Sequence, residues 1–145
     1  MSEAIVITRT FNAPREAVYD AWITPDYLSR WFGTEAVAVP LDTLEMDVRV
    51  GGHWRAVMHL PDGGLINWTG EYLELDRPNR LAFTITDRPD ELEQEPVVVT
   101  LTAVDGATEM TVTQPGAQMS DEQIAKSIEG YNKFFDVMEK IVRRR

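Results

Sequence analysis

Hydrophobic positions along the chain follow a period of two through the middle and a helical period at the end. From Ala36 to Gln114 apolar and polar residues alternate in short runs. Leu44, Met46 and Val48 alternate with Glu45, Asp47 and Arg49 until Gly51-Gly52 breaks the run. Trp54, Ala56 and Met58 then alternate with His53, Arg55, Val57 and His59. Pro61-Asp62-Gly63-Gly64 predicts a tight turn, Leu65 to Leu75 the returning strand, and Arg77-Pro78-Asn79 a turn into Leu81 to Ile85. After an acidic loop from Asp87 to Pro96, Val97 to Val104 and Thr108 to Gln114 flank Asp105-Gly106, a hairpin signal. The β-branched run Ala4 to Phe11 predicts one more strand ahead of this series. Consecutive antiparallel hairpins are the simplest topology for such a run.

Helical spacing appears in two places. Pro14 suits the first position of a short helix with Val18, Ala21 and Trp22 as its apolar line, and Thr24-Pro25 restarts the pattern for a second, with Leu28, Trp31 and Phe32 apolar and Gly33 closing it. From Gln118 to Arg145 the spacing predicts one long amphipathic helix. Ile124, Ile128, Tyr131, Phe135, Met138 and Val142 form its stripe, widened by Phe134 and Ile141, with Lys126, Glu129, Lys133, Asp136 and Lys140 opposite. Ser120 and Gln123 read as a capping box, and Arg143 to Arg145 suit the negative end of the helix dipole. Burying that stripe requires a surface for the helix to lie on. Gly130 in mid-helix costs about 1 kcal/mol relative to alanine, which close approach of sheet or ligand to the helix backbone would offset.

Two finer expectations concern the central hairpin. Ile66 and Trp68 occupy even positions, but Leu73 and Leu75 odd ones, so the phase changes across Gly70. Side chains alternate strictly along a regular strand, and the change therefore predicts a β-bulge at Gly70-Glu71. Pairing Trp54 opposite Tyr72 and Met58 opposite Trp68, around a three-residue turn, keeps the aromatics on one face.

At 145 residues the chain fits one domain, residues 1–145, without internal repeat, low-complexity tract or linker. A net charge of −10 argues against nucleic acid, whose binding rests on neutralising phosphates. The absence of cysteine removes disulfides and thiolate chemistry, and is compatible with a reducing compartment. No apolar run reaches the ~18 residues of a membrane span, and Met1 to Thr10 does not read as a signal peptide, so a cytoplasmic location is expected.

Catalytic chemistry has little material. His53 and His59 lie roughly 20 Å apart along one strand, at ~3.3 Å per residue, and cannot share a metal ion, so no metal site is expected. If Trp54 and Met58 face inward, both histidines face solvent. The serines, Ser2, Ser29, Ser120 and Ser127, offer no nucleophile elbow. Glu71 and Glu74 would have raised pKa values in an apolar pocket and could donate protons there, although a wet face accounts for them more simply. The aromatic and methionine set is the remaining signal: Trp22, Trp31, Phe32, Met46, Trp54, Met58, Trp68, Tyr72, Phe83, Tyr131, Phe135 and Met138. Each suits a plain core. Together they could line a pocket for a flat apolar ligand oriented by the hydroxyls of Tyr72 and Tyr131.

The ordered motifs resemble one family. Phe11-Asn12-Ala13-Pro14, Ala21-Trp22, Trp31-Phe32-Gly33, Asp47 to Arg55, Pro61-Asp62-Gly63, Gly70, Tyr72, Glu74 and Arg80 to Thr84 together are similar to the AHSA family (activator of heat-shock-protein-90 ATPase homologues) of the START/SRPBCC superfamily. Gly130-Tyr131 departs from the Gly-Trp that relatives often carry. The resemblance implies an α+β helix-grip fold: a curved antiparallel sheet of six to seven strands wrapped around the long C-terminal helix, with two short helices after the first strand. It also implies an apolar cavity between helix and sheet. The expected function is binding of an apolar or aromatic small molecule, without cofactor or catalysis, by Trp31, Phe32, Met46, Trp54, Met58, Trp68, Tyr72, Phe83, Tyr131, Phe135 and Met138. The alternatives are a cofactor-free cyclase or hydrolase using Glu74, Tyr72 or Tyr131, and a co-chaperone-like protein, whose contacts would be with a chaperone or a second copy.

Overall fold

The computed structural model describes residues 4–32, 39–86, 96–115 and 120–143. Strand β1 (Ala4–Phe11) is followed by helices α1 (Arg15–Ile23) and α2 (Pro25–Trp31) and a 3-10 turn at Leu41–Thr43. Strands β2 (Glu45–Met46), β3 (His53–His59), β4 (Leu65–Asp76), β5 (Arg80–Thr84), β6 (Pro96–Val104) and β7 (Ala107–Pro115) precede the last helix, α3 (Asp121–Arg143). Across the sheet the order is β1-β7-β6-β5-β4-β3-β2, with every neighbouring pair antiparallel. This is the helix-grip fold that the family resemblance implied, with seven strands.

The inner face of the sheet carries the residues that the period of two selects. Ile5, Ile7 and Phe11 of β1, Val97, Val99 and Leu101 of β6, and Met110 and Val112 of β7 are buried in one cluster with Phe135, Met138 and Val142 of α3. One inward position is charged. Arg9 shares the face of Ile7 and Phe11, and its guanidinium donates to Asn132 O (3.1 Å), Asp136 Oδ1 (2.6 Å) and Glu139 Oε1 (2.9 Å). This fork ties the edge strand to the final helix. At the other end of α3 the capping box forms reciprocally: Gln123 N donates to Ser120 Oγ (3.1 Å) and Ser120 N to Gln123 Oε1 (2.9 Å). Asp105 and Gly106 both have positive φ, the mirror-image turn that a two-residue hairpin needs.

Several expectations are corrected. Pro14 caps α1 in an extended conformation, and the helix begins at Arg15. The alternation of Leu44, Met46 and Val48 yields only a two-residue strand. Arg49 N bonds Asp47 O and Gly52 N bonds Arg49 O, so the chain turns back at once, and Val48 is exposed. The β3–β4 pairing is Trp54 opposite Gly70 and Met58 opposite Ile66, two residues from the expected register. A shift of two preserves the faces, and Trp54, Ala56 and Met58 are buried as expected. The ladder to β3 runs unbroken through His53–Glu71, and on the β5 side Thr69–Thr86 and Tyr72–Phe83 keep one register across an interruption at Gly70-Glu71, so no residue is inserted there. The irregularity lies further on, between Tyr72 and Glu74, where Leu73 is the extra residue against β5. Gly33, Ala36 and the acidic loop at 87–95 lie outside the described residues.

Candidate functional site

Strands β3, β4 and β5 supply the floor of the site through Trp54, Tyr72, Phe83 and the following Ile85. Trp54 is fixed by an unusual exchange of partners. Pairing between β4 and β5 includes Thr69–Thr86 and Tyr72–Phe83, but between these pairs the backbone ladder is interrupted. The Trp54 indole N–H donates to Thr84 O at 3.1 Å, while Glu71 N donates to Thr84 Oγ1 at 2.9 Å. A side chain from β3 thus occupies a ladder position of its neighbours. Gly70 makes room for it: a Cβ there would lie 1.7 Å from Thr84 O and 2.6 Å from Trp54 Nε1.

The roof comes from the helices. Trp22, Leu28, Trp31 and Phe32 descend from α1, α2 and the end of α2, and Tyr131 from α3. Trp31 is anchored by its N–H to Ala21 O at 2.6 Å and lies edge-on to Trp22 with centroids 4.7 Å apart. Phe32 meets both Trp54 (6.4 Å) and Phe134 (5.8 Å), while Tyr131 stacks on Phe135 (5.6 Å). Between roof and floor remains a void of about 30 Å³. One water needs roughly 10–15 Å³ measured this way, so the void holds about two waters.

Among the described residues, none that lines the void carries a carboxylate, imidazole, thiol or aliphatic hydroxyl; the polar side-chain groups of the wall are indoles and phenols. Burial raises the Tyr131 phenol to about 12, and its hydroxyl donates to Gln114 Oε1. The Tyr72 phenol is pushed further still, by burial first and by Asp47 and Tyr19 after it. Both are neutral donors at physiological pH and poor bases. Glu74 stands outside this wall, half-exposed and paired with Arg80 at 2.9 Å. Glu71 is also exposed, with His53 4.0 Å away. The proposed protonated carboxylates in an apolar pocket are therefore not part of this geometry.

Of the expected ligand-lining residues, Trp31, Phe32, Trp54, Tyr72, Phe83 and Tyr131 meet around the void. Phe135 and Met138 are fully buried behind it, and Met58 and Met46 pack into the core without reaching it. Trp68 falls in a separate open depression with Asp42, Glu45, Arg55 and Asn67. Leu28 and Ile85 were missing from the expectation; Trp22 stood in the aromatic set that could line a pocket but not among the expected ligand-binding residues. Leu28 lies one helical turn before Trp31 and Ile85 shares the strand face of Phe83, so periodicity alone could have added both. His53 and His59 point away from the buried face of β3. Gly130 has nothing within 4 Å of where a Cβ would stand, so close approach does not explain it.

A family model described as activator of Hsp90 ATPase homolog 1-like protein matches residues 12–143. No curated protein matches the sequence. Among solved structures, a Chromobacterium violaceum protein superposes with a TM-score of 0.81 at 25% identity, covering 96% of each chain. The AHSA1-like protein from Aeromonas hydrophila gives 0.80 at 24%, covering 98% of this chain and 93% of its own. A Mycobacterium smegmatis protein gives 0.77 at 23%, with 96% and 90% covered.

Proposed function

The chain belongs to the activator of Hsp90 ATPase homolog 1-like family, and from that premise we propose that it binds a small, flat, apolar or aromatic molecule between roof and floor and does not transform it. The observation that carries this reading is the composition of the wall: aromatic and aliphatic side chains from five separate parts of the chain meet around one void, with only indoles and phenols as polar side-chain groups among the described residues. Such a lining suits an apolar body with few oriented contacts. It offers no base, nucleophile or metal ligand for a reaction. The reading of the chain as a chaperone partner rests on the family name alone.

Size sets the condition for binding. A void of about 30 Å³ is far below the roughly 300–1,000 Å³ of ordinary small-molecule sites, so a ligand enters by displacing side chains. The floor is held by the Trp54–Thr84 bond inside the sheet, so the roof helices α1 and α2 are the part that moves. The test is titration with 1,6-diphenyl-1,3,5-hexatriene, a neutral hydrocarbon probe that brightens in apolar surroundings. Saturable one-to-one binding is expected, lost in Ile85→Trp, which fills the void from the floor while circular dichroism confirms the fold. Absence of saturable binding, or equal binding by the filled variant, refutes the proposal.

A further inference from the structure

Three tryptophans line the void, and their indole N–H groups have different fates. That of Trp31 is taken by Ala21 O at 2.6 Å and that of Trp54 by Thr84 O at 3.1 Å. That of Trp22 has no acceptor among the described residues, although the atom is buried and the residue only 5% exposed. An unpartnered buried donor has given up its hydration for nothing and destabilises the structure that holds it. The ring cannot turn to find a partner cheaply, being packed against Trp31 at 4.7 Å and against Phe83 and Phe135, each at 5.9 Å.

From this contrast we infer that the molecule held in this site carries a neutral acceptor oxygen, of the ketone, quinone or lactone kind, which takes the Trp22 indole N–H. The inference rests on the binding reading above and adds the ligand's polar chemistry to it. The indoles of the wall offer only donors, and its phenols donate as well as accept. Trp22 offers its N–H and Tyr72 its hydroxyl, whereas the Tyr131 hydroxyl is already given to Gln114. A ligand donor would find only the phenol oxygens as acceptors and would leave the Trp22 N–H unpaired. A cation meets no carboxylate there. An anion is disfavoured by the apolar surroundings and by the chain's net charge of −10. A neutral carbonyl on a flat apolar body satisfies the orphan and leaves nothing else unpaired. Trp22 is itself a wall residue of the void.

The experiment compares 1-tetralone with tetralin, which differ by one carbonyl oxygen on the same bicyclic body, on wild type and Trp22→Phe. The variant keeps an aromatic ring and removes the donor. It is expected to weaken tetralone roughly three- to tenfold more than it weakens tetralin, the worth of one neutral hydrogen bond. In ¹H–¹⁵N spectra of the wild type, the indole proton absent from the variant should move downfield with tetralone and not with tetralin. That measurement holds even if the variant folds poorly. Equal losses for both probes, or an indole proton that keeps contact with a long-lived internal water when tetralone is bound, would overturn the inference while leaving the binding reading intact. Failure of both probes to bind the wild type removes the binding reading and this inference with it.

Discussion

Replacing Gly70 with alanine tests the joint between sheet and site. The added Cβ would sit 1.7 Å from Thr84 O and 2.6 Å from Thr84 C and Trp54 Nε1, whereas ordinary contacts begin at 3.4 Å. Two of these atoms are backbone, so β5 must retreat from β4. That motion breaks the Trp54–Thr84 bond and the Glu71–Thr84 bond. Two hydrogen bonds at about 0.5–1.5 kcal/mol each contribute about 1–3 kcal/mol. Overpacking adds about 1–3 kcal/mol more. The expected loss is therefore about 2–6 kcal/mol, a large part of the 5–15 kcal/mol typical of a domain. Urea denaturation followed by far-ultraviolet circular dichroism measures it as a lower midpoint with unchanged slope. Trp54→Phe removes the indole donor in advance, so Gly70→Ala should cost less in that background than in the wild type, a coupling that a double-mutant cycle reads directly. A loss below about 1 kcal/mol, or additive effects of the two substitutions, would refute the reasoning, since a shared clash cannot be additive.

Two further outcomes follow from other parts of the molecule. Gly130→Ala should stabilise the protein by about 0.5–1 kcal/mol, because its Cβ meets open space and alanine is the better helix former; a thermal melt should rise by roughly 2–4 °C, and a fall would mean that something does approach the helix there. Alkaline pH should destabilise the fold through its buried phenols. Tyr19 and Tyr131 are raised to about 12 and Tyr72 beyond that, all chiefly by burial, whereas unfolded tyrosine ionises near 10.0. The unfolded chain therefore sheds protons first, and the stability, fully present below pH 10, drains away as pH rises towards 12. Melting temperatures across that range, with tyrosinate absorbance at each pH, check it; ionisation of all phenols near pH 10 in the still-folded protein would contradict it.

The strand and helix pattern was legible because both periods are strict wherever one face is buried. The last helix was readable down to its cap, where Ser120 and Gln123 bond as their spacing implies. Parity survived where register did not: Trp54 pairs with Gly70 in place of Tyr72, yet the shift of two residues leaves every side chain on its expected face. The bulge was misplaced because Gly70 has a different task from the one its phase change suggested. It admits a carbonyl from β5 and an indole from β3, neither of which is visible in the sequence of β4 alone. The site divides in the same way. Faces could be read locally, and six of the residues expected in a pocket meet around the void. The separation of Trp68 from them, and the place of Phe135 and Met138 behind the wall, depend on how α1 and α2 lie over the sheet, which no local pattern encodes.

The distribution of tryptophans has an optical consequence. Trp22, Trp31 and Trp54 border the void, while Trp68 sits apart in the open depression. Three of the chain's 4 indoles are thus placed where a guest would touch them, and the fourth is positioned as an internal standard. The protein therefore carries its own emission probe, in which quenching of the buried trio against a steady Trp68 signal reads occupancy without any label.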